Sequence, residues 1–308
     1  MDPAILLLAH GTPDTVSEIP EYLRNITGGR PVPDSVINEV SHRYSLIGHS
    51  PLTEISLRQG ELLSRCLNLP VYVGMRNWRP YIAATMERML AEGVRHCVVI
   101  CLAPQNSRTS VGLYHQAVAK NSQAIELDFI QSWHDHPQLI EAFAERLKAA
   151  RTRFGTSTPV IFTAHSVPAR TIADGDPYER QARETGALVA RNAGLADSQW
   201  KFAFQSQGMS GGPWIGPTVE ETMLTVRESG HDRVLIQPVG FVCDHVEILY
   251  DVDIAFREYG SKIGLAVHRT ESLNDSPGFI AALANLVRER LQIGHLSSGN
   301  ADAVDSCR

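Results

Sequence analysis

Two histidines follow apolar runs in nearly the same sequence context, and each could bind a metal ion or transfer a proton. The run Ile5–Ala9 continues into "HGTP" from His10, and the run Pro159–Ala164 continues into "HSVP" from His165. Imidazole titrates near neutral pH and is a common metal ligand in proteins. For His165, the alternative is a structural histidine at a strand end, hydrogen-bonded to the backbone.

Two carboxylates in the segment "GFVCDHVEILYD" (residues 240–251) are a second candidate for proton or metal chemistry. After Gly240 the chain is predicted to turn into a helix with Asp244 as its N-cap. Glu247 then lies at the third helical position, and Asp251 lies one turn further on the same face. Carboxylates at this spacing repel each other, so a bound cation or a proton-transfer role would account for the pair. The alternative is that Glu247 is only the capping-box partner of Asp244.

Eight short apolar runs must position these residues, and they alternate with longer helical patterns. Such alternation is typical of βαβ units and parallel sheets. Four runs fall in each half of the chain, and both sets begin with the Ala-His pattern, which indicates an internal structural repeat. The predicted strands are Ile5–Ala9, Val71–Met75, His96–Leu102, Ala124–Ile130, Pro159–Ala164, Lys201–Phe204, Arg233–Pro238 and Gly264–His268.

Polar residues that come just after these strands predict a shared functional edge. Ligands of open parallel sheets lie beyond the carboxyl ends of the strands. His10, His134, His165 and Glu247 each follow a predicted strand in the chain. If two lobes face each other about a pseudo-two-fold axis, His10 and His165 come from matching positions on opposite walls of one cleft.

The helices carry recognisable start signals, and a polar stretch separates the halves. Ser50 is predicted to be an N-cap with Pro51 at the first helical position. Thr218 and Glu221 are predicted to form a capping box. We place the boundary between the lobes in the polar stretch 151–158. The predicted domains are an N-terminal lobe over residues 1–152, a C-terminal lobe over 153–293 and a disordered tail over 294–308.

The composition is that of a globular protein and argues against several functional classes. The 308-residue chain has a net charge of −6 and no Lys/Arg cluster, so nucleic acid is not an expected partner. No apolar run approaches the roughly 18–20 residues of a membrane span, and the N-terminus lacks the basic region of a signal peptide, so we expect a cytoplasmic protein. The five cysteines include no CxxC pair, which disfavours a structural zinc site. Phosphate-binding glycine motifs and a GxSxG elbow are also missing, which disfavours nucleotide binding and hydrolase chemistry.

Several longer motifs of the chain resemble those of ferrochelatases. They are "AHGTP", "HRYSLIG" followed by "SPL", "LAP", "AHSVP", "GDPY", "QSQG" followed by "PWIGP", and "PVGFVCDHVEILYD", and the resemblance extends from about Leu6 to Leu291. It implies an α/β fold of two similar Rossmann-like lobes, each a four-stranded parallel sheet flanked by helices, with a porphyrin cleft between them. It also implies insertion of Fe(II) into a porphyrin in haem biosynthesis, with release of two protons.

The same resemblance assigns roles to individual residues. His165 and Glu247 match the catalytic pair and are expected to act on both the metal and the protons, and either could be base or ligand. Asp251 is expected to relay a proton or the metal. The motifs are most similar to the soluble bacterial branch that acts on coproporphyrin III, with protoporphyrin IX as the alternative substrate. Positions that contact the macrocycle or its carboxylates in that branch match Arg43, Tyr44 and Ser50.

Two histidines depart from the pattern of that branch. His10 stands where "AYGTP" often has a tyrosine that becomes an axial ligand of the product iron, and His134 stands where a second tyrosine is common. A neutral imidazole is a good haem-iron ligand. We therefore expect His10 to take the axial position of the tyrosine, and we count His134 among the substrate-binding residues.

The expected partners are a porphyrin and ferrous iron, acted on by a monomer without integral membrane association. We expect no tightly bound cofactor and no iron–sulfur cluster; the sequence does not identify a haem-accepting protein. Two other functions stay open at this point. One is a non-catalytic tetrapyrrole or haem carrier that kept the binding site. The other is a cobalt or nickel chelatase for a different tetrapyrrole.

Overall fold

Two parallel sheets of four strands each form the framework of the protein. The computed structural model describes residues 3–122, 124–207 and 212–291, so the predicted tail over 294–308 lies outside the described residues. The strands of the first sheet are β1 (Ala4–Ala9), β2 (Val71–Met75), β3 (His96–Cys101) and β4 (Glu126–Ile130). Those of the second sheet are β5 (Val160–His165), β6 (Trp200–Gln205), β7 (Arg233–Pro238) and β8 (Ala266–Arg269).

The two sheets have the same topology, which confirms the predicted repeat. Their strand orders are β2-β1-β3-β4 and β6-β5-β7-β8, and every pairing is parallel. The strands β1 and β5 occupy equivalent inner positions, and each ends at the Ala-His pattern. All eight predicted strands are present, with ends that differ from the prediction by two residues or fewer.

The strands form because apolar side chains on both faces are buried beneath helices. All six residues of β1 are buried, as expected for an inner parallel strand covered on two sides. In the first sheet, side chains such as Leu6 and Val99 pack with Met86. In the second, Ile161 and Val234 share a core with residues of the helices that follow β6 and β7.

Eleven α-helices connect the strands within the described residues. They are α1 (Ile19–Ile26), α2 (Asp34–Ile47), α3 (Leu52–Leu67), α4 (Ile82–Ala91), α5 (Val111–Asn121), α6 (Pro137–Phe154), α7 (Ala169–Ala173), α8 (Tyr178–Asn192), α9 (Val219–Glu228), α10 (Arg257–Ile263) and α11 (Pro277–Leu291). A π-helix, Glu247–Phe256, leads directly into α10. Each of these helices is too short or too polar to cross a membrane.

The predicted start signals are right for one helix and wrong for another. Thr218 Oγ1 accepts a hydrogen bond from the Glu221 amide at 3.2 Å, and the Glu221 carboxylate accepts one from the Thr218 amide at 2.8 Å, which confirms the capping box of α9. Ser50 does not cap α3: the helix begins one residue later than predicted, with Pro51 as its N-cap. Among the residues that the structure describes, the buried Ser50 hydroxyl has no hydrogen-bond partner.

Two compact units divide the chain, and their limits differ from the predicted lobes at two helices. Of the described residues, one unit contains those within 1–103, 110–131 and 274–291, and the other contains those within 104–109 and 132–273. The predicted boundary, after residue 152, lies in the last turn of helix α6, and this helix packs on α8 in the second unit. Helix α11 ends the described chain but packs on α3 in the first unit. Each unit therefore contains a helix from the other half of the sequence.

Candidate active site

His165 is the last residue of β5, and the protein holds its ring through one nitrogen. Its Nδ1 donates a hydrogen bond to the carbonyl of Ser166, since a carbonyl can only accept. The hydroxyl of Tyr178, in the first turn of α8, donates to the His165 carbonyl at 2.9 Å. The backbone hydrogen bond of the structural alternative for His165 is therefore present, and it involves Nδ1 and not Nε2.

Glu247 begins the π-helix, and the residues before it differ from the prediction. Asp244 is not the N-cap: its carboxylate accepts hydrogen bonds from Arg269 at 3.0 Å and from Ser272 at 2.7 Å. The Glu247 amide instead donates to Nδ1 of His245 at 3.1 Å. Glu247 is therefore not a capping-box partner of Asp244, and its carboxylate is turned to another partner.

That partner is His165, and the pair is partly open to solvent. His165 Nε2 lies 3.5 Å from Glu247 Oε1, and the two side chains are 35% and 33% exposed. Asp251, four residues along the π-helix, is buried and accepts a hydrogen bond from the Ser206 hydroxyl. The Glu247 carbonyl accepts a weak hydrogen bond from Gln205 Nε2 at 3.4 Å. The structure thus brings together His165, Glu247 and Asp251, as the sequence predicted.

Close backbone packing allows the Glu247 segment to come near the end of β5. A Cβ atom added to Gly240 would lie 2.6 Å from Cβ and 2.8 Å from Cα of Ala164. Only glycine therefore fits at this turn without a shift of the backbone. Ser206, which follows β6, has a φ of 61°, a conformation uncommon for residues with a side chain and found preferentially at functional sites.

Nearby charge sets the protonation of one histidine of the site, and burial sets that of the other. Burial alone would lower the pKa of His165, but the Glu247 carboxylate outweighs burial and, with the Ser166 carbonyl and Asp251, raises it to about 9. His165 is therefore an imidazolium at neutral pH, ion-paired with Glu247. Burial lowers the pKa of His245. His245 is thus neutral, as its Nδ1 must be to accept the Glu247 amide.

An imidazole and a carboxylate at this distance can share a proton or bind a cation together. Nitrogen and oxygen donors of this kind suit a first-row divalent metal. Within the described residues there is no group of three or more His, Cys, Asp or Glu side chains arranged to hold a metal ion.

The first unit carries His10 at the position equivalent to His165. The amide nitrogen of Asn77 lies 3.0 Å from His10 Nε2 and 3.2 Å from Nδ1, and the ring packs edge-to-face on Tyr22. Tyr44 is buried, and its hydroxyl is hydrogen-bonded to that of Thr12 at 2.8 Å. His10 and Tyr44 therefore both contact residues at or just beyond the carboxyl ends of β1 and β2.

The remaining predicted site residues have mainly local partners. Arg43, on α2, forms an ion pair with Glu39 at 2.9 Å and is 38% exposed. His134, in the second unit, is buried, with Nδ1 2.9 Å from the Ser132 hydroxyl and Nε2 3.0 Å from the Glu184 carboxylate. The binding roles of Arg43, His134 and Ser50 stay predictions.

Comparison with known proteins identifies the family of the chain. The ferrochelatase family model matches residues 2–291. The chain belongs to the ferrochelatase family. It is 53% identical over 307 residues to a ferrochelatase from Acidobacterium capsulatum, a match that covers 94% of both proteins. A coproporphyrin III ferrochelatase from a Geobacillus species is 35% identical over 305 residues, with 94% of this chain and 98% of that protein covered. This ferrochelatase is therefore an enzyme of the metal-chelatase class.

Solved structures of low sequence identity share its fold. SirB from Bacillus subtilis, solved with Fe3+, aligns over 94% of this ferrochelatase and 95% of its own chain, with a TM-score of 0.55 and 14% identity. CbiX, described as the terminal enzyme for biosynthesis of siroheme in denitrifying bacteria, has a TM-score of 0.52 and 13% identity, with 94% and 99% covered. The α/β chelatase fold that the resemblance implied, with two four-stranded parallel sheets flanked by helices, is thus confirmed.

Sequence reasoning did not assign three residues that build the site of this ferrochelatase. They are Tyr178, which binds the His165 carbonyl, Ser206, which binds Asp251, and His245, which accepts the Glu247 amide. Tyr178 and His245 lie in the "GDPY" and "CDHVE" motifs, so the motifs contained the signal. Ser206 lies in the "QSQG" motif and follows a predicted strand, so its signal was present as well.

Proposed function

We propose that this ferrochelatase inserts Fe(II) into coproporphyrin III and that His165 and Glu247 carry out the insertion. The observation that carries the proposal is the ion pair itself: an imidazole Nε2 and a carboxylate 3.5 Å apart, at the carboxyl end of an inner strand, each one-third exposed. Insertion into a free-base porphyrin removes two pyrrole protons and exchanges iron-bound water for ring nitrogens. The pair supplies both a metal ligand and a proton acceptor.

The protonation state of His165 suggests the order in which iron binds and the proton leaves. His165 is protonated in the resting enzyme, because the Glu247 charge raises its pKa to about 9. Ferrous iron that binds Glu247 cancels this charge and so favours loss of the His165 proton. The neutral imidazole can then ligate the iron or accept a pyrrole proton. Asp251, buried beside the pair, is placed to pass the proton on.

The choice of coproporphyrin III is supported by the relatives and by cationic and polar side chains of the first unit. Coproporphyrin III carries more propionates than protoporphyrin IX, and arginine pairs well with carboxylates. Arg43 is exposed enough to exchange Glu39 for a propionate. The buried Ser50 hydroxyl has no hydrogen-bond partner in the described part of the chain, and a propionate can accept a hydrogen bond from it. Arg30, which is exposed, is a weaker candidate.

Insertion changes neither the oxidation state of the iron nor the number of ring electrons, so the proposed reaction needs no redox cofactor and no cluster. We also infer that it takes place in the cytoplasm on a monomer. Light scattering of the purified enzyme at micromolar concentration tests the oligomeric state. A dimer that persists on dilution would contradict a monomer.

The test of the function is anaerobic insertion by the purified enzyme, followed by porphyrin absorbance. Coproporphyrin III and protoporphyrin IX are offered side by side, each with Fe(II), and Co(II) replaces Fe(II) in a third arm. Faster conversion of coproporphyrin III with Fe(II) supports the proposal. Preference for protoporphyrin IX would contradict the proposed substrate, and preference for Co(II) would contradict the proposed metal. Tight porphyrin binding without conversion would indicate a carrier.

The first mutational prediction concerns the pair. His165→Ala and Glu247→Gln should each lower kcat for iron insertion by at least about 100-fold, the size of effect associated with general acid–base groups, while porphyrin fluorescence quenching still reports binding. His231→Ala and Glu258→Gln, both exposed in the same unit, are the matched controls and should retain full activity. Substantial turnover in either site variant removes the assigned role.

A further inference from the structure

One arginine holds the segment that carries Glu247 at both of its ends. Arg269, the last residue of β8, forms two parallel bonds to Asp253 of the π-helix, with Nε to Oδ1 at 3.2 Å and Nη2 to Oδ2 at 2.8 Å. Its Nη1 binds the carboxylate of Asp244 at 3.0 Å and the hydroxyl of Ser272 at 3.1 Å. Glu247 lies between these two anchoring points in the chain.

The arginine is itself firmly placed. Its side chain is 13% exposed, and its backbone pairs with Ile236 in the register of β7 and β8. Burial would lower its pKa, but the two aspartates outweigh burial and keep it charged. One planar guanidinium thus links the end of a sheet to the π-helix and to the turn before it. Lysine cannot reproduce this fork of bonds, because it has a single ammonium group.

The π-helical segment between Asp244 and Asp253 requires support from tertiary contacts. A π-helix is rare and is commonly found at functional sites, where tertiary contacts must support its wide turns. Replacing a buried ion pair with apolar residues is often neutral for stability, so stability alone is a weak explanation for this cluster. Its geometric effect is direct: it sets the distance between Asp244 and Asp253 and hence the place of the helix between them.

We infer that Arg269 is a positioning residue for iron insertion, acting through Asp244 and Asp253 to hold the Glu247 carboxylate at the distance from His165 that the reaction requires. The inference rests on the proposed function for its kinetic consequence. Arg269 does not contact the His165–Glu247 pair, so its effect is on geometry and not on the chemistry itself. This inference adds a residue of β8, the edge strand of the second sheet, to those on which insertion depends.

The test compares two arginines that bind the same aspartate. Arg269→Lys keeps the positive charge but loses the fork. Arg257→Lys makes the same change at an arginine that lies 2.9 Å from Asp253 but is 52% exposed and makes no bond to Asp244 that fixes the turn. Loss of exact placement of a reacting group costs about 10- to 100-fold. We expect kcat for Fe(II) insertion to fall by that factor in Arg269→Lys and by less than about twofold in Arg257→Lys, with porphyrin affinity unchanged in both.

A second readout does not depend on activity. Amide hydrogen exchange should become faster across residues 244–256 in Arg269→Lys, while the exchange of β5 and β7 stays as in the wild type. Val267→Ala, a core change on the same strand β8, is the control for lost stability. At a loss of Tm equal to that of Arg269→Lys, this variant should keep the wild-type kcat per folded molecule. If Arg269→Lys fails to fold, Asp253→Asn breaks the same fork and carries the same expectations.

Each outcome bears on one of the two claims. Wild-type kcat and wild-type exchange in Arg269→Lys overturn the positioning role, as does an equal loss of kcat in Arg257→Lys or in Val267→Ala. If the wild-type protein itself inserts no iron, the proposed function fails, and the exchange of residues 244–256 still decides whether Arg269 positions the segment.

Discussion

The division of work within one imidazole explains how His165 can be both fixed and reactive. Its Nδ1 is bound to the Ser166 carbonyl, and its Nε2 lies toward Glu247. The first bond sets the orientation of the ring, and the second atom is the one that we propose meets substrate or metal. The Glu247 carboxylate raises the pKa of this imidazole, so the ring is protonated at neutral pH. Binding of a cation to Glu247 would release that proton, so metal arrival and base activation are coupled in one pair.

His10 is predicted to ligate the iron of the product complex. Asn77 contacts its ring nitrogens, which holds the imidazole in place, and neutral imidazole binds haem iron well. The absorbance and resonance Raman spectra of the product complex should change in His10→Ala and stay unchanged in His49→Ala, an exposed histidine paired with Glu54. A product spectrum of His10→Ala identical to that of the wild type would exclude this ligand.

At the scale of elements, the turn after β7 decides where the π-helix begins. Gly240→Ala places a methyl group 2.6 Å from Cβ of Ala164, so the turn must move. We expect a loss of about 1–3 kcal/mol in the free energy of unfolding, the usual cost of overpacking, together with a lower kcat, because the displaced turn leads into Glu247. Urea unfolding and insertion kinetics measure the two effects.

The double variant Gly240→Ala/Ala164→Gly is the control for this turn. Removing Cβ of Ala164 relieves the closest contact, whereas its Cα, at 2.8 Å, remains. Partial recovery of both stability and kcat is therefore expected. A double variant no better than Gly240→Ala would show that the contact with Ala164 is not the cause.

At the scale of the whole molecule, the His165–Glu247 pair links stability to pH. The pKa of His165 is raised from 6.5 to about 9 in the folded protein. Its contribution to the free energy of unfolding is thus fully present below pH 6.5 and is lost as the pH rises through 9. Denaturant unfolding should show this decline in the wild type, and His165→Asn should remove part of it. Parallel pH profiles for both proteins would contradict the raised pKa.

Short-range pattern in the sequence was sufficient for the strands and the repeat. Burial on both faces makes inner parallel strands continuous apolar runs, so β1, β5 and β7 could be located from residue type alone. The recurrence of Ala-His at the ends of two such runs indicated equivalent strands. The resemblance of the motifs around His165 and Glu247 to those of ferrochelatases indicated that these two residues act as a pair. These features depend on neighbouring residues, which a sequence displays directly.

Only the tertiary structure decided how the segment around Glu247 is held. Asp244 has the residue type and position of a helix cap. Its carboxylate instead forms an ion pair with Arg269, which lies 25 residues later in the chain. The π-helix likewise depends on contacts that Asp251 and Asp253 make with distant partners. The exchange of α6 and α11 between the two units has the same origin: which sheet an amphipathic helix covers is decided by long-range packing, and no local pattern specifies it.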